Sequence, residues 1–442
     1  LDFSVIDQDN NVDVTQAIAA INDCDESGEG ANLANCQNNG GVELNSIGDI
    51  TQDNEAAQLS SDAFSEQFND LGINQATALV NGCSELEDGD NIPVCKNEGI
   101  ENFVGPITQE TFVGIAGAEA NTATIPQSNE AQISQALSAV NDCDEDGAGD
   151  SLLFCRNEAE NTIQSISQGS EANNVGDDFV QNNLIGNVAQ ALATANDCDE
   201  VGDGNNGDGV NQFCVNDIAA NFIGPVNQFN SAAGTEVSDI SQNNDISSMT
   251  QFLSAFNDCD QSGPGDNLAQ CGNSAQNTIQ QVGQQNNAGA NQFTDIFQDN
   301  DAAFSQSLAV SNNCDQTTFD VTSENNEAQC GNTVDNFIGP VSQTNTADGQ
   351  FDASIDQDNN VAVTQTLLAD NTCDGTGLQL ANCDNVDALN TIAGITQANT
   401  ADDELDAIST QFNNAVISQD MTLLNDCEEG DLGINDVDCE NF

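Results

Sequence analysis

Histidine, tryptophan and tyrosine are absent from this 442-residue chain, and Lys96 and Arg156 are its only basic side chains. Without histidine there is no ready general base near neutral pH, and the commonest transition-metal ligand is missing. Without a basic patch nothing holds nucleic acid or an anionic membrane. The 74 acidic residues, for a formal charge of -72, attract cations instead. No apolar run reaches the ~18 residues that a membrane-spanning helix needs. So few basic groups leave self-repulsion to be offset by salt, bound divalent cations or carboxylates facing water. No constellation stands apart as an active site would, and no glycine-rich phosphate loop follows an apolar strand, so the chain reads as a non-enzyme. It begins at Leu1 without a signal peptide, which reads as a processed product or a fragment.

Low hydrophobicity at high charge ordinarily means disorder. Here a fixed spacing argues otherwise. Gln16, Gln75, Gln135, Gln190, Gln251, Gln306, Gln365 and Gln419 are each followed eight residues later by a cysteine, with asparagine two places before it. Even spacings put these residues on one face of a β-strand. The positions between them form columns of their own, such as Ile18, Thr77, Leu137, Leu192, Leu253, Leu308, Leu367 and Met421, while the opposite face drifts. Like stacked on like is the signature of a repeat protein.

The repeats fall at about 1–59, 60–118, 119–174, 175–233, 234–290, 291–349, 350–403 and 404–442, the last incomplete. Each opens with a segment ending in Gln-x-Asn (Gln8/Asn10, Gln67/Asn69 and their counterparts), and asparagine's tolerance of turn conformations marks this as a corner. A second period of about 116 residues is superimposed: even repeats carry Asn-Phe-(Val/Ile)-Gly-Pro at 102–106, 221–225 and 336–340, odd ones do not. The expected fold is all-β, one continuous parallel β-solenoid with one or two coils per repeat and buried amide ladders. Four tandem β-sandwich domains of about 116 residues are the alternative.

Sixteen cysteines come two per repeat. The expected pairs are Cys24–Cys36, Cys83–Cys95, Cys143–Cys155, Cys198–Cys214, Cys259–Cys271, Cys314–Cys330, Cys373–Cys383 and Cys427–Cys439. Each closes a loop worth roughly 3 kcal/mol in the chain-entropy model. Two cysteines per repeat without CxxC or histidine suit tetrahedral zinc poorly. Disulfides in turn imply an oxidising, extracellular compartment.

The pattern Ile-x-Gln-x-Asn-x-Val-x-Val-x-Gln at 6–16 and 355–365 resembles the curlin repeat of bacterial curli fibres. That resemblance implies stacked Gln and Asn ladders and polymerisation outside the cell. It covers the strand segments, but not the 57-residue period, the cysteines or the acidic loops. Asp142, Asp144, Asp146 and Asp150, with Gly147 between them, look like calcium loops of EF-hand or thrombospondin type-3 kind, and Asp23/Asp25 and Asp258/Asp260 keep most of the pattern. Calcium wants several hard oxygens on a tight loop, yet Leu153 stands where such loops carry a bidentate Glu. The plainer reading is a solvated acidic hairpin closed by a disulfide.

These features point to a structural subunit of an extracellular filament, a homopolymer built head to tail from solenoid ends that are open at Leu1 and Phe442. A calcium-dependent adhesin or S-layer-like module is the alternative. Cations, with calcium as the one candidate cofactor, are the other expected partners.

Overall fold

The computed structural model describes residues 4–24, 33–39, 45–59, 63–85, 92–115, 125–146, 152–175, 178–201, 210–234, 239–262, 267–290, 295–317, 327–349, 353–376, 380–403, 408–429 and 436–441. Almost all of them are strand, and no helix among them is long and apolar enough to cross a membrane.

One repeat makes one coil of a parallel β-solenoid. In the third coil a long strand, Ile125–Asp146, crosses the full width of the molecule. A middle strand, Leu152–Ile163, and a short strand, Ile166–Val175, then return behind it. The eight long strands pair in parallel as one sheet, the middle strands form a second, and seven short strands form a third. These sheets run unbroken through the coils, which excludes four separate sandwiches.

Alternation of apolar and polar side chains dictates this arrangement. In Ile240–Ser262 burial alternates along the strand, slipping only at Ser247 and Ser248. That slip is a bulge. Gln242 and Gln251 are nine residues apart where other coils have eight, and the register shifts between Ile246 and Met249 to absorb the extra residue. The fourth coil does the same between Ile185 and Asn187. Without such bulges every residue beyond the insertion would turn to the wrong face.

The Gln-x-Asn pairs do not mark a corner. Gln127 and Asn129 are buried inside the straight strand Ile125–Asp146. The Asn129 amide donates to the Gly169 carbonyl and to Asn183 Oδ1, so its side chain serves the stack and asparagine's turn tolerance goes unused.

The longer period has a steric origin. Gly339 packs so tightly on the fifth coil that a Cβ there would lie 2.7 Å from the Gln280 carbonyl carbon and oxygen, and one at Gly105 would lie 2.9 Å from Gly48. Gly224 meets Gln164 in the same way. Each is the glycine of the Gly-Pro step between middle and short strands of an even coil, seated on the backbone of the odd coil before it. Coils therefore alternate at this bend while sharing the Gln8, Gln16 and Gln52 ladders.

The core is banded along the strand direction. Apolar bands of Ile125, Phe179, Ile240 and Ile296, of Ile107, Ile133, Ile163 and Ile166, and of Leu137, Leu192, Leu253 and Leu308 are separated by bands of buried Gln and Asn. A band of cysteines closes one edge. The two cationic side chains stack in register in the second and third coils, between Glu98 at 3.4 Å from Lys96 and 3.3 Å from Arg156, Glu158 at 3.7 Å from Arg156, and Asp217. They act as local charge balance.

Candidate functional site

Parallel in-register pairing brings the predicted glutamines into one column. Gln16 pairs with Gln75, then in order Gln135, Gln190, Gln251, Gln306, Gln365 and Gln419. Six of these are buried; Gln16 and Gln419, in the outermost coils, are not. The buried rungs are bonded on both sides. Gln251 Nε2 lies 2.8 Å from Gln190 Oε1 and 3.0 Å from the carbonyls of Asn221 and Thr278, and Gln251 Oε1 accepts from Gln306 at 2.8 Å. A buried amide is tolerable only with such partners.

The columns have direction. Every glutamine in the Gln16, Gln8 and Gln52 columns donates to the coil before it, as Gln75 to Gln16, Gln67 to Gln8 and Gln109 to Gln52 do. Every asparagine ladder donates to the coil after it: Asn22 to Asn81, Asn10 to Asn69, Asn38 to Asn97 and Asn45 to Asn102. The last rungs keep the rule, with Gln419 donating to Gln365, and Asn371 to Asn425.

The sequence reading missed the ladder of Asn38, Asn97, Asn157, Asn216, Asn273, Asn332, Asn385 and Asn441. The structure bonds these residues coil to coil. The signal was present, since each stands two residues after the second cysteine of its repeat. Ladder direction had no sequence signal, because it depends on which way each amide turns inside its column.

All eight disulfides form with the expected pairing and leave no free cysteine. Sulfurs of neighbouring coils gather in groups such as Cys143, Cys155 and Cys198, but in the paired state they offer no thiolate to a metal.

The acidic motif is extended, not wrapped. Asp142 and Asp144 point outward near the end of a straight strand, in register with Asp197 and Asp199 and then with Asp258 and Asp260. Two rows of carboxylates thus run across three coils at the inter-strand spacing of about 4.8 Å. Asp146 ends its strand and Asp23 is exposed opposite Gly82, while Asp25 and Asp150 lie outside the described residues. Partial burial and then its like-charged neighbours, Asp142 first, push the Asp144 carboxyl up to about 6. Burial and then Asp199 push Asp197 up to about 6, and burial and then Asp258 push Asp260 up to about 7. The rows are a cation-attracting surface held under repulsion.

Compared with known protein families, curated proteins and solved structures, the chain matches none. The likeness to curlin repeats and to calcium loops rests on the sequence pattern alone.

Proposed function

We propose that the chain is the structural subunit of an extracellular filament, its copies adding head to tail as further coils of one solenoid. The opposed direction of the two kinds of ladder carries this reading. The outer face of the first coil presents amide N–H groups in the columns of Gln8 and Gln16 and carbonyl oxygens in those of Asn10, Asn22 and Asn38. The outer face at the other end presents oxygens from Gln411 and Gln419 and N–H groups from Asn413, Asn425 and Asn441. Head on tail, the ladders of the long and middle strands that reach the eighth coil continue with donor facing acceptor, and parallel backbone pairing continues with them. Two like faces meet only about a two-fold axis, which sets their strands antiparallel and takes the columns out of register, so the ladders would not continue.

Eight disulfides suit an oxidising compartment outside the cell, and the curlin likeness supports the same mode of growth. Because each copy carries a charge of -72, end addition needs screening, with the Debye length near ~10 Å at 0.1 M salt.

Electron microscopy of the purified 442-residue chain at and above physiological salt is expected to show unbranched filaments one solenoid wide. An acidic, proline-containing segment appended after Phe442 should stop growth while circular dichroism stays that of the parent strand fold. Filaments that still grow normally from the capped chain would place the contact on a lateral face and end this model. The outward aspartate rows favour the second reading, a calcium-dependent adhesin or S-layer-like module. Calcium-dependent attachment by chains that never elongate would decide for it.

A further inference from the structure

The second cysteine of a coil sits half a step along the stack from the first. Asn257, two residues before Cys259, donates at 3.1 Å to Asn273, two residues after Cys271. Asn273 donates onward at 2.8 Å to Asn312, two residues before Cys314 in the next coil. The middle strand of the fifth coil therefore lies between the long strands of the fifth and sixth, and Cys271 stands between Cys259 and Cys314. The sulfurs follow this zigzag: those of Cys271, Cys314 and Cys330 lie within 4.8 Å of one another. The same holds for Cys214 with Cys259 and Cys271, for Cys330 with Cys373 and Cys383, and for Cys383 with Cys427 and Cys439. Cys155 has both Cys143 and Cys198 within that distance. From the third coil to the seventh, each second cysteine thus has two first cysteines in reach. One is its disulfide partner, and the other belongs to the coil that follows.

Solvent reaches this part of the column at the last coil. Cys427 and Cys439 are half-buried, whereas the cysteines of the third to seventh coils are 2 % exposed or less. A dissolved reductant has no direct access to those inner disulfides, but a thiolate already inside the column does.

We infer that the cysteine band from Cys143 to Cys439 is a thiol–disulfide exchange relay, entered at the last coil by a small dithiol reductant. Reduction of Cys427–Cys439 leaves two thiols there and oxidises the dithiol to its own disulfide. The Cys427 thiolate then attacks Cys383. A Cys383–Cys427 bond forms, the Cys373–Cys383 bond breaks, and its electron pair leaves on Cys373. Cys373 next attacks Cys330 and frees Cys314. The sequence runs on through Cys271 and Cys214 to Cys155, freeing Cys259, Cys198 and finally Cys143. No handoff changes the number of disulfides, and negative charge passes directly from sulfur to sulfur, so no inner thiol has to ionise in an apolar band. Links within coils become links between coils. A reductant at the end therefore laces the stack together instead of opening its interior.

The test is Cys439→Ala in the full 442-residue chain, which leaves Cys427 unpaired without any reductant. The chain is held free of oxygen at pH 8 in dilute low-salt buffer, where its charge of -72 keeps copies apart. It is then quenched in acid, alkylated with N-ethylmaleimide and mapped by mass spectrometry of non-reduced peptides. Label is expected to spread over minutes to hours from Cys427 to Cys373, Cys314, Cys259, Cys198 and Cys143, in that order. Cys383–Cys427 and Cys330–Cys373 should be the first new links, at a rate independent of chain concentration. Adding Cys259→Ser and Cys271→Ser removes one handoff. Label at Cys198 and Cys143 should then be lost, while label at Cys373 and Cys314 stays. Label that remains on Cys427 alone, or that reaches Cys143 past the broken rung, overturns the relay. Should the last coil of the variant unravel, the parent chain with one equivalent of dithiothreitol decides. Label on Cys439 together with an inner first cysteine such as Cys373 supports the relay, and label confined to the two members of one disulfide overturns it.

Discussion

Replacing Gln251 by leucine is expected to loosen the stack around the fifth coil, although leucine nearly matches glutamine in size and is more apolar. Gln251 is buried and serves four partners. Leucine leaves Gln190 Oε1 and the carbonyls of Asn221 and Thr278 without that donor, and Gln306 without that acceptor. Each buried group so stranded costs about 1–3 kcal/mol, and the gain from a more apolar side chain does not offset several of them. Gln251→Glu should be worse. It removes the donor and adds a buried charge without a counter-ion, and its defect should shrink in acid, where the carboxyl is neutral. Phe252→Ser, on the exposed opposite face of the same strand, should change stability by less than about 0.5 kcal/mol. In a solenoid each coil touches only its neighbours, so the damage should stay local. Hydrogen exchange is the measurement to use: amides of the fourth to sixth coils should exchange faster, and those of the second coil should not. Exchange unchanged in Gln251→Leu would mean that the ladder contributes no stability.

Coil architecture, disulfide pairing and the Gln16 column were legible because each rests on spacing along one strand, and spacing survives into structure when like stacks on like. Three features were not. The corner expected at Gln127–Asn129 came from reading asparagine as a local turn former, when its amide is claimed by residues a whole coil away. The alternation between odd and even coils was visible as a motif, but its cause is a backbone contact between Gly339 and Gln280, and no single repeat contains both. The acidic motif at Asp142–Asp146 was read against loops that wrap an ion. The strand simply continues through it, because Cys143 and Glu145 are inward residues that keep the period of two, and this turns Asp142 and Asp144 together toward water. The same inward turn hides Glu145, which in the sequence is one acidic residue among many and in the fold is a buried carboxyl in register with Glu200.

Acid should stabilise this protein, against the usual trend. Burial, and then Asp258 and Asp315, raise the Asp260 carboxyl to about 7; burial, and then Asp301 and Asp358, raise Asp299 to about 7; Asp197 stands near 6. In the unfolded chain these groups titrate near ~3.9. A carboxyl whose folded value is raised is destabilised in its charged form, so its cost to the fold is present in full above pH 7. As pH falls through 7 and then 6 the folded state takes up protons that the unfolded chain does not, and stability rises. The gain is complete near pH 4, where the unfolded chain begins to take up protons as well. The melting temperature is therefore expected to climb as pH is lowered from 8 to 5. Sodium chloride at pH 8 should recover part of that climb, because salt screens the repulsion among rows of aspartates but leaves the share due to burial. Asp260→Asn combined with Asp299→Asn should raise the melting temperature at pH 8 and flatten its dependence on pH, since asparagine keeps the shape and removes the charge. Calorimetric scans across that range at fixed ionic strength make the comparison. A melting temperature that stays level or falls between pH 8 and pH 5 would show that the outward carboxylates are fully solvated and that the charge of -72 is borne without strain.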